Sequence, residues 1–215
     1  RFFMQLIWVL VLSFICVYFI FTLLRLEVRQ NHISSGTPIE SGKQGGKALF
    51  VIDMQNDLTH PHGAISIKPY EMDAFIQKQN AFIKTVENEW VVVYIQMIYR
   101  KHWLFRILTR FALKDGSYGA ELDERLYQAK KAYYFKKYIR DAFSNSELDQ
   151  TLTTLNITDI YCIGVDAKYC INNTLIASKK RNYNTFVIKD LVETTNRDAL
   201  PKLYSYWEKQ GIGLI

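Results

Sequence analysis

Four short stretches of the chain are apolar without alternation: Ala48-Leu49-Phe50-Val51-Ile52, Trp90-Val91-Val92-Val93-Tyr94-Ile95, Ile160-Tyr161-Cys162-Ile163 and Thr185-Phe186-Val187-Ile188. Runs of this kind suit parallel strands buried on both faces, since a strand with one wet face alternates polar and apolar residues. Helix-like stripes separate them. Met72 to Val86 carries apolar residues at 72, 75, 76, 82, 83 and 86, Ser146 to Leu155 opens on capping residues, and a last helix is expected from Arg197 to Lys209. Tyr133-Tyr134-Phe135 adds a brief aromatic strand. Strands and helices in this order imply right-handed parallel crossovers and an α/β fold, a three-layer α/β/α sandwich around a mostly parallel sheet.

Ahead of this pattern, Phe2 to Leu24 is apolar except for Gln5, Ser13 and Thr22, and about 20 such residues span a bilayer core. The run is longer than the ~7–15-residue core of a cleaved signal, and no small-x-small site follows it before Arg25. A transmembrane anchor is therefore expected over residues 1–29, touching the membrane through 2–24. Arg25, Arg29, Lys43 and Lys47 on one side, against Arg1 on the other, place the remainder in the cytoplasm as a single-pass membrane protein. Residues 30–47 are rich in Ser, Gly, Gln and Lys, include Pro38 and Gly45-Gly46, and read as a flexible tether to a domain over 48–215. Three cysteines, Cys16, Cys162 and Cys170, form no C-x-x-C pair, which argues for a reducing compartment rather than a disulfide framework. The net charge of +6 is scattered and accompanies no nucleic-acid motif, G-x-G-x-x-G or P-loop, so no nucleic-acid or nucleotide partner is expected.

In sheets of this kind chemistry collects at the carboxyl ends of strands. Asp53 ends the first strand and continues as Met54-Gln55-Asn56-Asp57, and Lys136 and Lys137 follow the aromatic strand. Gly164-Val165-Asp166-Ala167-Lys168-Tyr169-Cys170 reads as a tight turn into a helix, with Cys170 near the first helical turn. There the helix dipole and free N–H groups would lower a thiol pKa below its usual value of about 8.5 and receive an oxyanion. Set against this, Asp53 could merely cap a turn and Cys170 could be a buried structural thiol. His60 and His62 share a loop without an acid cluster and read as surface. Arg100 to Lys114 places Arg106, Arg110 and Lys114 opposite Leu104, Ile107, Leu108, Phe111 and Ala112, an amphipathic basic helix suited to a lid, a dimer contact or a membrane surface.

Together these segments resemble the isochorismatase-like cysteine hydrolases, the superfamily of nicotinamidases, N-carbamoylsarcosine amidases and ureidoacrylate hydrolases. ALFVIDMQND at 48–57 looks like the family's first strand with its general base, KYIRDAF at 137–143 like its lysine segment and GVDAKYC at 164–170 like its nucleophile turn. Gly119-Ala120-Glu121-Leu122 matches a further family segment, and the likeness covers residues 48–190. It implies a catalytic Asp53, Lys137 and Cys170, with the spacing to Ala142-Phe143 choosing Lys137 over Lys136. It also implies a cis peptide between Val165 and Asp166, and an oxyanion hole from the backbone N–H groups of Asp166 and Cys170. No cofactor and no metal are expected, because the region where nicotinamidases carry metal ligands reads Gln96-Met97-Ile98-Tyr99-Arg100-Lys101-His102 with a lone histidine. Cys170 points to carbon–nitrogen rather than vinyl-ether cleavage, although Ala167 and Lys168 replace the more usual Thr and acidic residue. The implied protein is a membrane-anchored, homo-oligomeric cysteine amidohydrolase acting on a small amide, ureide or carbamoyl compound through a thioester. Its rival is a non-catalytic binding protein on the same fold.

Overall fold

The computed structural model describes residues 2–40, 42, 44–67, 71–99 and 103–215. Arg1, Lys43, Arg100, Lys101 and His102, which entered the readings above, lie outside the described residues. The chain runs α1 (Phe2–Gln30), β1 (Gly46–Ile52), α2 (Asn56–Thr59), α3 (Met72–Val86), β2 (Val91–Met97), α4 (Trp103–Leu108), β3 (Ala132–Lys137), α5 (Ser146–Thr154), β4 (Ile157–Val165), α6 (Asn172–Lys180), β5 (Asn184–Glu193), α7 (Leu200–Lys209) and β6 (Gly213–Leu214). The strands form one parallel sheet in the order β3-β2-β1-β4-β5-β6. The two-residue β6 is too short to have left a signal in the sequence.

The unalternating runs now have their cause. Along β1, Leu49 and Val51 pack toward α3, while Ala48, Phe50 and Ile52 pack toward α5, α6 and α7. Both faces of the strand are covered, so neither set of side chains is polar. The carboxyl ends of β1 to β5 all open on the same edge. At β4 that edge requires glycine: Gly164 sits at φ 117°, and a Cβ there would meet Ile52 O at 2.1 Å. Gly119 serves similarly, since its missing side chain makes room for the Asp57 carboxylate.

Two segments differ from the sequence reading. The basic helix expected over 100–114 is limited, among the described residues, to α4, after which Arg110, Phe111 and Leu113 take φ values of 52°, 60° and 50°. Asp57 Oδ2 accepts the Leu113 N–H at 2.7 Å, and Leu113 O accepts the Tyr99 N–H at 3.0 Å. These tertiary bonds override the helical period. Ala112 and Leu113 are thereby buried, Trp103, Ile107, Leu108 and Phe111 face outward, and Arg106, Arg110 and Lys114 share no helix face.

The second difference is the expected flexible tether, whose first part is fastened down. Ser34 donates from N–H and Oγ to Asp141 Oδ2 at 2.8 and 2.5 Å, and the Arg181 guanidinium donates to Ser34 O at 3.1 Å. Ile39 N–H donates to Arg181 O at 2.9 Å, and Ile33 and Ile39 pack on the core. Arg181 itself is buried against Asp149, with its guanidinium 4.5 Å from the centre of the Phe143 ring. α1 is largely exposed up to its buried last residue, Gln30, and its 28 residues from Phe3 to Gln30 include an 18-residue stretch of mean hydropathy 2.7, long and apolar enough to cross a membrane. By length and composition such a helix suits a membrane span or a signal sequence.

Candidate active site

Asp53 follows the last residue of β1 in a left-handed conformation, φ 54°, which a non-glycine residue holds only when its surroundings fix it. Its N–H donates to Ile95 O on β2 at 2.8 Å. Register places Lys137, the end of β3, beside Met97, the end of β2. From there its ammonium passes over the sheet edge and donates to Asp53 Oδ2 at 2.9 Å, with both side chains almost wholly buried. Lys136 points the other way and pairs with Asp115 at the surface, as alternation along a strand requires. A buried ion pair is costly to desolvate, and removing one partner strands the other charge.

Cys170 completes the cluster from β4. The Val165–Asp166 peptide is cis, and Ala167–Ile171 forms a π-helical turn that leads into α6. Asp166 organises this turn. Its carboxylate accepts Lys168 N–H at 2.8 Å, Thr194 Oγ1 at 2.6 Å, and both the N–H and Oγ1 of Thr195 at 3.3 and 3.2 Å. Four donors occupy that carboxylate, so its oxygens are committed to shaping the turn. Asp53 is different: its Oδ1 is buried with no hydrogen-bond partner among the described residues, and besides Lys137 the Cys170 thiol and the Met97 backbone bear on its carboxyl.

Burial governs the electrostatics. It pushes the Cys170 thiol up to about 12, reinforced by the Asp53 charge and opposed by Lys137. The thiolate-favouring helix end expected from sequence is thus outweighed, because the sulfur lies inside the protein and not at an exposed helix terminus. Burial also raises the Asp53 carboxyl, with the Lys137 ammonium pulling it back. It presses Lys137 down, yet Asp53 and Cys170 leave that ammonium above its ordinary value. The cluster therefore brings a thiol, a carboxyl and an ammonium together inside the protein, an arrangement in which proton removal and attack go together.

A cavity of ≈ 300 Å³ opens over Asp53 and Cys170, the size of a small-molecule site. Leu58, Ile65, Met97 and Leu113 give it apolar walls, and Gln30, Tyr99, Arg140 and Thr195 supply polar ones. Sequence reasoning marked none of those four as site residues, although Arg140 lies within the KYIRDAF segment. It did mark Gln55, Asn56 and Asp57, but as continuations of the site, and they are bracing: Gln55 Nε2 donates to Met97 O and Ala120 O at 3.0 and 2.7 Å, and Asn56 Nδ2 donates to Tyr118 O at 2.9 Å. A wider hollow of ≈ 560 Å³ beside β3, lined by Tyr134, Lys136 and Asn145 among others, contains none of the three clustered groups.

The Isochorismatase domain model matches residues 47–209. The chain belongs to the isochorismatase family. Similar solved structures include N-carbamoylsarcosine amidase from Thermoplasma acidophilum, 26% identical with a TM-score of 0.68 over 79% of this chain and 95% of that one. Nicotinamidase PncA from Bacillus subtilis is 24% identical with a TM-score of 0.66, covering 78% and 98%. A pyrazinamidase of Pyrococcus horikoshii in complex with zinc is 20% identical with a TM-score of 0.69, covering 79% and 98%. No curated protein sequence matches. The isochorismatase-like members among these are hydrolases of carbon–nitrogen bonds other than peptide bonds, and this chain is a hydrolase of that family. Among the described residues no group of three His, Cys, Asp or Glu side chains is placed to hold a metal, Asp53 is engaged by Lys137, and Asp166 is filled by its four donors. His60 and His62 stand 5.7 Å apart, ring to ring, in the loop after α2 and do not border the cavity.

Proposed function

We propose that this isochorismatase-family protein is a membrane-anchored cysteine amidohydrolase that cleaves the carbon–nitrogen bond of a small amide, ureide or carbamoyl compound. The observation that carries the reading is the buried Asp53–Lys137 pair beside the Cys170 thiol at the floor of a small cavity. Asp53 takes the thiol proton as sulfur attacks the carbonyl carbon, and the backbone N–H groups of Asp166 and Cys170 receive the developing oxyanion. Asp53 returns that proton to the departing nitrogen, leaving a Cys170 thioester. Water then attacks the thioester carbon, losing its proton to Asp53, and the freed sulfur recovers that proton as the acid departs. Lys137 keeps Asp53 ionised between steps.

In this reading residues 1–29 form the anchor, with membrane contact over 2–24, the hydrolase domain is cytoplasmic, and the protein assembles as a homo-oligomer. Neither a cofactor nor a metal takes part. The test is ammonia release from a panel of small amides, ureides and carbamoyl compounds by the full chain in detergent or nanodiscs. Release by wild type, absent with Cys170→Ala, is the expected result; an equal signal from both proteins would reject the mechanism. Protease added to intact cells should leave the domain whole and cut it only after lysis, and digestion before lysis would reverse the orientation.

A further inference from the structure

One wall of the cavity comes from the apolar helix. Gln30, the last residue of α1, is 8% exposed and borders the cavity that holds Asp53 and Cys170. Its backbone carbonyl accepts the Arg140 N–H at 3.2 Å, and its side-chain Nε2 donates to Tyr138 O at 3.4 Å. Arg140, also on the cavity wall, is gripped by α1 a second time, donating from Nη1 to Glu27 Oε1 at 2.7 Å and to Asn31 Oδ1 at 2.6 Å. The other face of its guanidinium lies 4.4 Å from the centre of the Tyr169 ring, next to Cys170 in the chain. The end of α1 is thus tied to the segment that directly follows Lys137. A side-chain amide offers two N–H donors and a carbonyl acceptor. Among the described residues the Gln30 side chain commits one donor, to a long bond, which leaves its carbonyl and second N–H to meet an occupant.

The rim is also electrically balanced. Glu27 meets the Arg140 charge at hydrogen-bond distance, and the walls below combine Leu58, Ile65, Met97 and Leu113 with the uncharged polar groups of Tyr99 and Thr195. From Leu24, where the apolar run ends, six further helical residues reach Gln30, about 9 Å at 1.5 Å each. In the anchored protein this sets the cavity in the interfacial layer of the bilayer.

We infer that the last turn of α1 is part of the active site: Gln30 contacts the substrate through its side-chain amide, and the substrate is an uncharged amide with an apolar body. The substrate class rests on the amidohydrolase reading, whereas the cavity wall does not. The full chain in nanodiscs is treated at about pH 9, where some thiolate is present, with iodoacetamide and with its bulkier N-phenyl analogue, and Cys170 alkylation is followed by peptide mass. Gln30→Ala should raise the ratio of N-phenyl to parent rate about tenfold, the scale set by a small group removed from a pocket wall. Gln30→Asn, which keeps the amide, should restore part of the wild-type ratio. Melting temperatures of both variants should match wild type, separating a wall contact from loosened folding. Glu27→Gln, which uncovers Arg140, should speed alkylation by anionic iodoacetate relative to iodoacetamide. A ratio unmoved by Gln30→Ala, with Cys170-dependent ammonia release intact, would overturn the inference and leave the function standing. A shifted ratio with no ammonia from any amide would uphold the wall and remove the enzyme.

Discussion

Cys162 and Cys170 belong to one strand-and-turn unit, both are buried, and both are free thiols. Cys162 lies within β4, packed among apolar side chains, and burial alone raises its pKa. Cys170 lies past the strand end, where Asp53 and Lys137 arrive from β1 and β3 and a cavity gives access. Burial is common to the two, so it cannot be what distinguishes a reactive sulfur from an inert one. The distinction is the parallel sheet edge, which delivers a carboxyl and an ammonium to one cysteine, while burial alone acts on the other.

Removing each sulfur should break the pair most sharply. Cys170→Ala should reduce turnover at least about a thousandfold, as loss of a nucleophile does, while Cys162→Ala should leave kcat within about twofold and lower stability by about 1 kcal/mol. Ammonia release and denaturant unfolding separate the two effects. Comparable activity loss in both variants would mean that packing, not chemistry, sets Cys170 apart.

The next largest effect concerns the ion pair. Lys137→Met should cost about 3–5 kcal/mol of unfolding free energy, because the buried Asp53 loses its partner. Lys136→Met, at the surface, should cost less than about 1 kcal/mol. Urea titration of the two variants checks this, and equal costs would contradict the burial of the Lys137 pair.

A smaller effect separates the thiols by pH. With its pKa pushed up to about 12, Cys170 should be alkylated about tenfold faster for each pH unit from 7 to 10, since the thiolate is the reactive form. Cys162 should stay unlabelled in the folded protein. A plateau in Cys170 labelling by pH 8 would show a preformed thiolate and restore the helix-end effect expected from sequence.

The contrast also marks what a sequence can carry. β1, β2, β4 and β5 were legible because burial on both faces writes an uninterrupted apolar run, Asp53 stood out because it ends such a run and Cys170 because a glycine turn follows one, whereas Lys137 was separated from Lys136 only by the family resemblance. The high pKa of Cys170 was not legible, since depth inside the protein depends on everything that covers the turn. Nor was the docking of α1. Glu27 with Arg140 and Ser34 with Asp141 are pairs more than a hundred residues apart, and each reads locally as ordinary polar sequence. The helix expected over 100–114 failed for a related reason: its periodicity is real, but Asp57 captures Leu113 and bends the chain.

The central claim is that Cys170, and not its neighbour on the strand, attacks a carbonyl carbon. Its most direct test is acid quenching of the full chain during turnover of whichever amide releases ammonia, followed by peptide mass analysis. An acyl group of the substrate's mass on the peptide containing Cys170, absent from the one containing Cys162 and lost on incubation with water, is the expected result. Turnover at full rate with no acyl group ever found on Cys170 would contradict the account.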